Sequence, residues 1–211
     1  MRLESILENI CSPKQREQLA TLVMDGSGSM AATDSAGEVK GKAVGRVTRE
    51  LIQRLMTSSR KDEIYLALLT FDDQVELRLA PTKVSEIDLE TDFDPMKNHQ
   101  NSTAIGDALE ESHQLTQEFL RNEQEGLPRD AVIILMSDGC NNCGTHNPRT
   151  VAKNIKENEK ITIASAAYGE DADKTLLREI CSDPAKFYCE PKNGNELRDY
   201  FLASLESVER A

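Results

Sequence analysis

Apolar residues along the chain fall into two alternating kinds of run. The first kind is short and near-continuous, as a strand buried on both faces requires: LATLVMD at 19–25, EIYLALLTF at 63–71, DAVIILMSDG at 130–139 and ITIASAAYG at 161–169. The second kind repeats at helical spacing. Val44, Val47, Leu51 and Leu55 share one face of a helix within 38–56, and Ile105, Leu109, Ser112, Leu115 and Phe119 follow helical steps within 102–120. Further helices are expected at about 148–158, within 171–180 and over 194–208, with a short strand KFYCE at 186–190. QVELRLA at 74–80 alternates instead, Val75, Leu77 and Leu79 inward and Glu76 and Arg78 outward. Its two-residue link to the preceding run, Asp72-Asp73, predicts a hairpin and therefore an antiparallel edge strand. Ahead of all this, Leu3, Ile6, Leu7 and Ile10 recur at helical spacing before Pro13, which predicts a helix at 2–11.

Strands that alternate with helices assemble into a doubly wound α/β fold: a mainly parallel six-stranded sheet with one antiparallel edge strand and helices on both faces. A chain of 211 residues suits one such domain, read as 20–211 after an N-terminal helical extension at 1–19. Charge narrows the partners. With 37 acidic against 25 basic residues the net charge is −12, which opposes a nucleic-acid backbone or an anionic membrane surface and favours a cation or a basic surface. No apolar run is long enough to span a bilayer. The N-terminus is broken by Glu4, Glu8 and Asn9, so no signal peptide is expected; the five cysteines are then expected as reduced thiols and the protein as cytoplasmic.

MDGSGSM at 24–30 ends the first strand in an acid and then alternates glycine with serine, with no lysine. A phosphate-cradling loop would carry that lysine. An acid followed by hydroxyls at steps of two suits a cation instead. In a doubly wound sheet, ligands bind beyond the carboxyl ends of the strands where strand order reverses. Asp25, Ser27 and Ser29 leave the first strand towards that point, Ser102 and Thr103 open the second long helix, and Asp138 ends the strand VIILMSD. Carboxylates and hydroxyls without sulfur or imidazole are the ligands of hard divalent ions such as magnesium, which keeps water where the protein supplies too few oxygens. Gly26 and Gly28 are expected to let the loop turn tightly.

D-x-S-x-S at the first strand end, the threonine of NSTAIGDAL and the aspartate of LMSDG together resemble the metal-ion-dependent adhesion site, or MIDAS, of von Willebrand factor type A (VWA) domains. The resemblance extends over residues 20–208, with one departure: Asn101-Ser102-Thr103 stands where many members have Gly-Gly-Thr or Gly-Thr. It implies that Asp25, Ser27, Ser29, Thr103 and Asp138 hold Mg2+, or Mn2+ or Ca2+, with Asp138 acting through water. It also implies that a partner protein's Glu or Asp completes the shell, with coupling to a shift of the last helix. The function implied is protein-protein interaction without catalysis, in an intracellular adaptor or assembly factor similar to partners of AAA ATPases and to stress-response proteins of the tellurium-resistance type.

Two other readings start from the same residues. A magnesium-dependent phosphohydrolase also places an aspartate at its first strand end, but Ser27 stands where a second acid is needed and none of the three loops has a lysine. The CNNC pair, Cys140 and Cys143, with His146 beyond it, is a half-site for zinc or a redox dithiol, for which Cys181 and Cys189 would have to supply a second half. The remaining polar residues have plainer expectations. His99 and His113 are read as solvent-facing, Asp72 and Asp73 as turn residues, Asp34 and Glu38 as solvated surface, and Asp107 as either a helix-start acid or an orienter of the threonine loop.

Overall fold

The computed structural model describes residues 16–99, 101–123 and 127–209, the side chains of 206–209 excepted. The helix expected at 2–11 lies outside the described residues. The elements are β1 (Glu17–Asp25), α1 (Lys40–Met56), β2 (Ile64–Phe71), β3 (Val75–Lys83), α2 (Ile105–Arg121), β4 (Arg129–Ser137), α3 (Pro148–Lys156), β5 (Ile161–Ala167), α4 (Lys174–Ile180), α5 (Pro184–Phe187), β6 (Tyr188–Cys189) and α6 (Gly194–Glu209). The strands form one six-stranded sheet in the order β3-β2-β1-β4-β5-β6. Every pairing is parallel except β2 with β3. Strand order reverses at β1, whose neighbours are β2 and β4.

All nine residues of β1 are buried, which is why its apolar run from Leu19 to Met24 is broken only by Thr21. Alternate residues serve opposite layers. Ala20, Leu22 and Met24 pack with Val44, Val47 and Leu51 of α1 and Leu197, Phe201 and Leu205 of α6. Leu19 and Val23 pack with Ile105 and Leu109 of α2, Ile155 of α3 and Leu177 of α4. Each such side chain contributes about 1.5–3 kcal/mol by leaving water, so the two layers hold the central strands rigidly. A rigid sheet fixes the positions of its strand ends.

Several elements depart from the sequence reading. β1 begins at Glu17, inside the residues assigned to the extension, because Arg129 and the Tyr65 hydroxyl pair with its buried carboxylate. The link between β2 and β3 is three residues long, 72–74. β3 carries two register shifts: Leu69 faces Leu77 while Leu68 faces Leu79, and Thr82 faces Leu66. Each extra residue turns the following side chains to the other face. Val75 therefore packs in the α2 layer and Leu79 in the α1 layer. Leu77 is 49% exposed, whereas the side chain of Arg78 is only 9% exposed, the reverse of the expected alternation. Finally, β6 is only Tyr188–Cys189. Asp183 accepts from the Ala185 N–H and Pro184 opens the turn, so residues 184–187 become helix α5.

The segment between β3 and α2 is mostly polar, yet its Val84, Ile87 and Phe93 join the α1 layer. It then crosses the loop after β1. A Cβ on Gly26 would lie 2.1 Å from the Pro95 carbonyl oxygen, so a close backbone approach requires glycine there. Neither Gly26 nor Gly28 has a positive φ, so the expected tight turn is not their role.

Candidate metal centre

Parallel neighbours β1 and β4 end side by side, with Met24 opposite Met136. Asp25 is the last residue of β1, and Asp138 follows Ser137 at the end of β4. Past β1, a single helical turn over Gly28–Ala31 brings the serines round. The Ser27 N–H donates to Asp25 Oδ1 at 2.8 Å, Ser27 Oγ is 3.0 Å from Ser29 Oγ, and Ser29 Oγ donates to Asp138 Oδ1 at 2.6 Å. Thr103 reaches the same point: a Cβ placed on Gly139 would be 3.3 Å from Thr103 Oγ1 and 3.7 Å from Ser29 Oγ. The fold thus brings together all five residues named from the motifs. Asp25, Ser27, Thr103 and Asp138 are buried, and Ser29 is exposed at the mouth.

This donor set fits a small divalent ion. Adjacent oxygens of an octahedral magnesium shell, with bonds of roughly 2.0–2.1 Å, stand about 2.9 Å apart. The two serine hydroxyls, 3.0 Å apart, and the Ser29–Asp138 pair, at 2.6 Å, are close enough together to share one such shell. Charge points the same way. Burial pushes the Asp25 carboxyl up, and hydrogen bonds from Ser137 and Ser27 pull it only part of the way back, to about 6. Among the described residues no basic side chain pairs with Asp25.

Sequence reasoning missed the residues that hold this set in place. Ser137 Oγ donates to Asp25 Oδ2 at 2.5 Å and accepts from the Gly139 N–H at 3.2 Å. Asn142 clasps Thr103 twice: its side-chain oxygen accepts the Thr103 N–H at 2.8 Å and its own N–H donates to the Thr103 carbonyl at 3.1 Å. Asn141 Oδ1 accepts the Gly106 N–H at 3.3 Å. The CNNC loop is thereby a fastening for the threonine loop. Asp107, the helix-start acid in the first turn of α2, also ties this loop down by accepting from the N–H groups of Thr145 and His146 at 3.0 and 2.8 Å. A lysine does enter the site, from outside the three loops: Lys40 Nζ is 2.8 Å from Asp138 Oδ2. An Asn-Asn pair between cysteines and a lysine opening a helix were the signals available.

Two plainer expectations, for His99 and Asp34, are corrected. Asp72 keeps the turn role expected of it, its carboxylate accepting the Gln74 N–H two residues on; it is also buried, accepts the Asn101 N–H and lies 2.8 Å from His99 Nδ1. His99 is buried with it, its Nε2 2.9 Å from Thr70 Oγ1, because the segment over Gly26 tucks the ring inward. Asp34 accepts from the Tyr168 hydroxyl at 2.9 Å and the Gly194 N–H at 3.2 Å, tying the loop before α1 to β5 and α6. His113 is half-buried against Gln117.

The rival chemistries find less support. Asp25 is an enclosed nucleophile, 0% exposed with both oxygens hydrogen-bonded. Burial and the charges of Asp73 and Asp107 push the Cys143 thiol up, away from the thiolate that dithiol chemistry needs. The four described cysteines are free thiols, and no three His, Cys, Asp or Glu among the described residues are arranged to hold a metal. The Asp25–Asp138 site has two carboxylates and is completed by hydroxyls.

Known proteins share this architecture. Human inter-alpha-trypsin inhibitor heavy chain H4 is 25% identical over 155 residues, which cover 71% of this chain and 16% of that protein. Proximal thread matrix protein 1 from the mussel byssus, in a structure with a zinc-occupied MIDAS motif, superposes with a TM-score of 0.69 at 19% identity, covering 98% of this chain and 50% of that one. BatB from Bacteroides thetaiotaomicron superposes with a TM-score of 0.68 at 17% identity, covering 92% and 99% of the two chains. The chain thus spans about one-sixth of the human protein and half of the mussel protein. The family model of the von Willebrand factor type A domain matches residues 21–203, and the chain belongs to that family.

Proposed function

We propose that this VWA domain is a metal-dependent protein-binding module in which Asp25, Ser27, Ser29, Thr103 and Asp138 hold a divalent ion, magnesium by preference. A carboxylate of a partner protein takes the open position. The observation that carries the reading is the meeting of two buried carboxylates and three hydroxyls at adjoining strand ends, with Ser29 alone of the five exposed. The zinc-occupied MIDAS motif of the mussel protein lends support. Bound metal supplies a Lewis-acidic contact point for an anionic oxygen. The chain's own groups orient it: Ser137 holds Asp25, and Asn142 holds Thr103. An adaptor or assembly role inside the cell is consistent with the net charge of −12 and with the free thiols.

Isothermal titration of magnesium and manganese into the wild type and Asp25→Ala tests the site. Single-site binding by the wild type that is lost in Asp25→Ala, with unchanged circular dichroism, is the expected result. Equal binding by both proteins, or binding by neither, would overturn the assignment.

A further inference from the structure

Lys40 is the first residue of α1, with a side chain 7% exposed and its Nζ 2.8 Å from Asp138 Oδ2 on a side chain that is 0% exposed. The first turn of a helix disfavours positive charge, and a buried ammonium is costly unless paired. The surroundings nonetheless seat it. Its N–H is held by the Ala32 carbonyl at 2.9 Å, and a Cβ on Gly169 would crowd Nζ at 3.2 Å and Cε at 3.4 Å. Asp138 is divided between two roles, Oδ1 taking the Ser29 hydroxyl and Oδ2 the lysine. Two carboxylates and one ammonium leave the site one negative charge. A divalent ion turns that into one positive charge, and a single external carboxylate brings it to zero.

We propose that Lys40 is a built-in counter-cation, a specificity-determining residue that weakens metal binding by the free domain and leaves the loaded site cationic towards an anionic ligand. The inference rests on the metal-site reading above. An ammonium and a divalent ion repel at a few ångströms even when partly screened, so removing the charge should tighten magnesium binding at least about tenfold.

Calorimetry with magnesium alone on the wild type, Lys40→Met and Lys40→Gln tests this. Both variants remove the charge, and the glutamine retains a polar head should the apolar one impair folding. The expected result is tighter binding by the variants together with a lower Tm in chelator, which magnesium restores. A loss of packing alone would weaken binding. Equal or weaker binding by a folded variant beside a wild type that binds overturns the role of Lys40 and leaves the metal site standing. Absence of binding in all three overturns both. Replacing chloride by acetate at fixed ionic strength should tighten magnesium binding by the wild type more than by the variants, and an equal response overturns the anion-selecting half.

Discussion

Asp25 closes β1 and Asp72 follows the last residue of β2, so two carboxylates emerge side by side where Asp25 is in register with Phe71. Both are buried. Burial pushes both upward, but for Asp72 the His99 contact and the N–H groups of Gln74 and Asn101 outweigh it and hold the carboxyl well below the usual range. For Asp25, two serines and the nearby Asp138 leave it at about 6. Adjacent strand ends thus carry one carboxylate that the fold satisfies and one that it leaves short of positive charge. A buried acid pinned by an imidazole and backbone N–H groups is architecture, whereas one given hydroxyl and N–H donors but no basic partner suits a cation.

Asp72→Ala should break the satisfied side most severely, because it strips partners from His99, Gln74 and Asn101 and unhooks the loop leading to Thr103. A loss of about 3 kcal/mol in urea unfolding is expected. The pH dependence of Asp72→Asn is the next largest effect. A lowered folded pKa stabilises fully above the unfolded value of 3.8 and is lost as pH falls through the folded value. The wild type should therefore exceed Asp72→Asn by about 1–2 kcal/mol at neutral pH, with the gap closing below about pH 4. Thermal melts across that range check this; a gap constant with pH would break the comparison. The smallest effect belongs to the unsatisfied side. Asp25→Asn in chelator should stay within about 0.5 kcal/mol of the wild type or exceed it, since neutralising an unpaired buried charge removes a cost. A destabilisation matching that of Asp72→Asn would show that Asp25 is structural.

The strand-helix alternation could be read directly, because two-sided burial leaves β1, β2, β4 and β5 as near-continuous apolar runs and one-sided burial leaves α1 and α2 periodic. The five residues that meet at the strand ends were legible too, since each sits at a motif. What supports them was not. Ser137 meets Asp25 across 112 positions, Asn142 meets Thr103 across 39 and Lys40 meets Asp138 across 98, and local spacing carries no trace of such pairings. The shifts in β3 were hidden for a related reason: Val75, Leu77 and Leu79 keep an alternating pattern in the sequence even though the extra residue between Leu77 and Leu79 puts Leu79 on the face opposite Val75.

The position of the site on β1 and β4 also has a mechanical consequence. These strands are parallel and paired from Glu17–Arg129 to Met24–Met136. Under the binding mode proposed above, a load applied at Asp25 and Asp138 along the sheet draws the two strands the same way, so their common ladder does not slide. The load passes outward into shear along the flanking ladders, β1 with β2 and β4 with β5, where many hydrogen bonds share it at once.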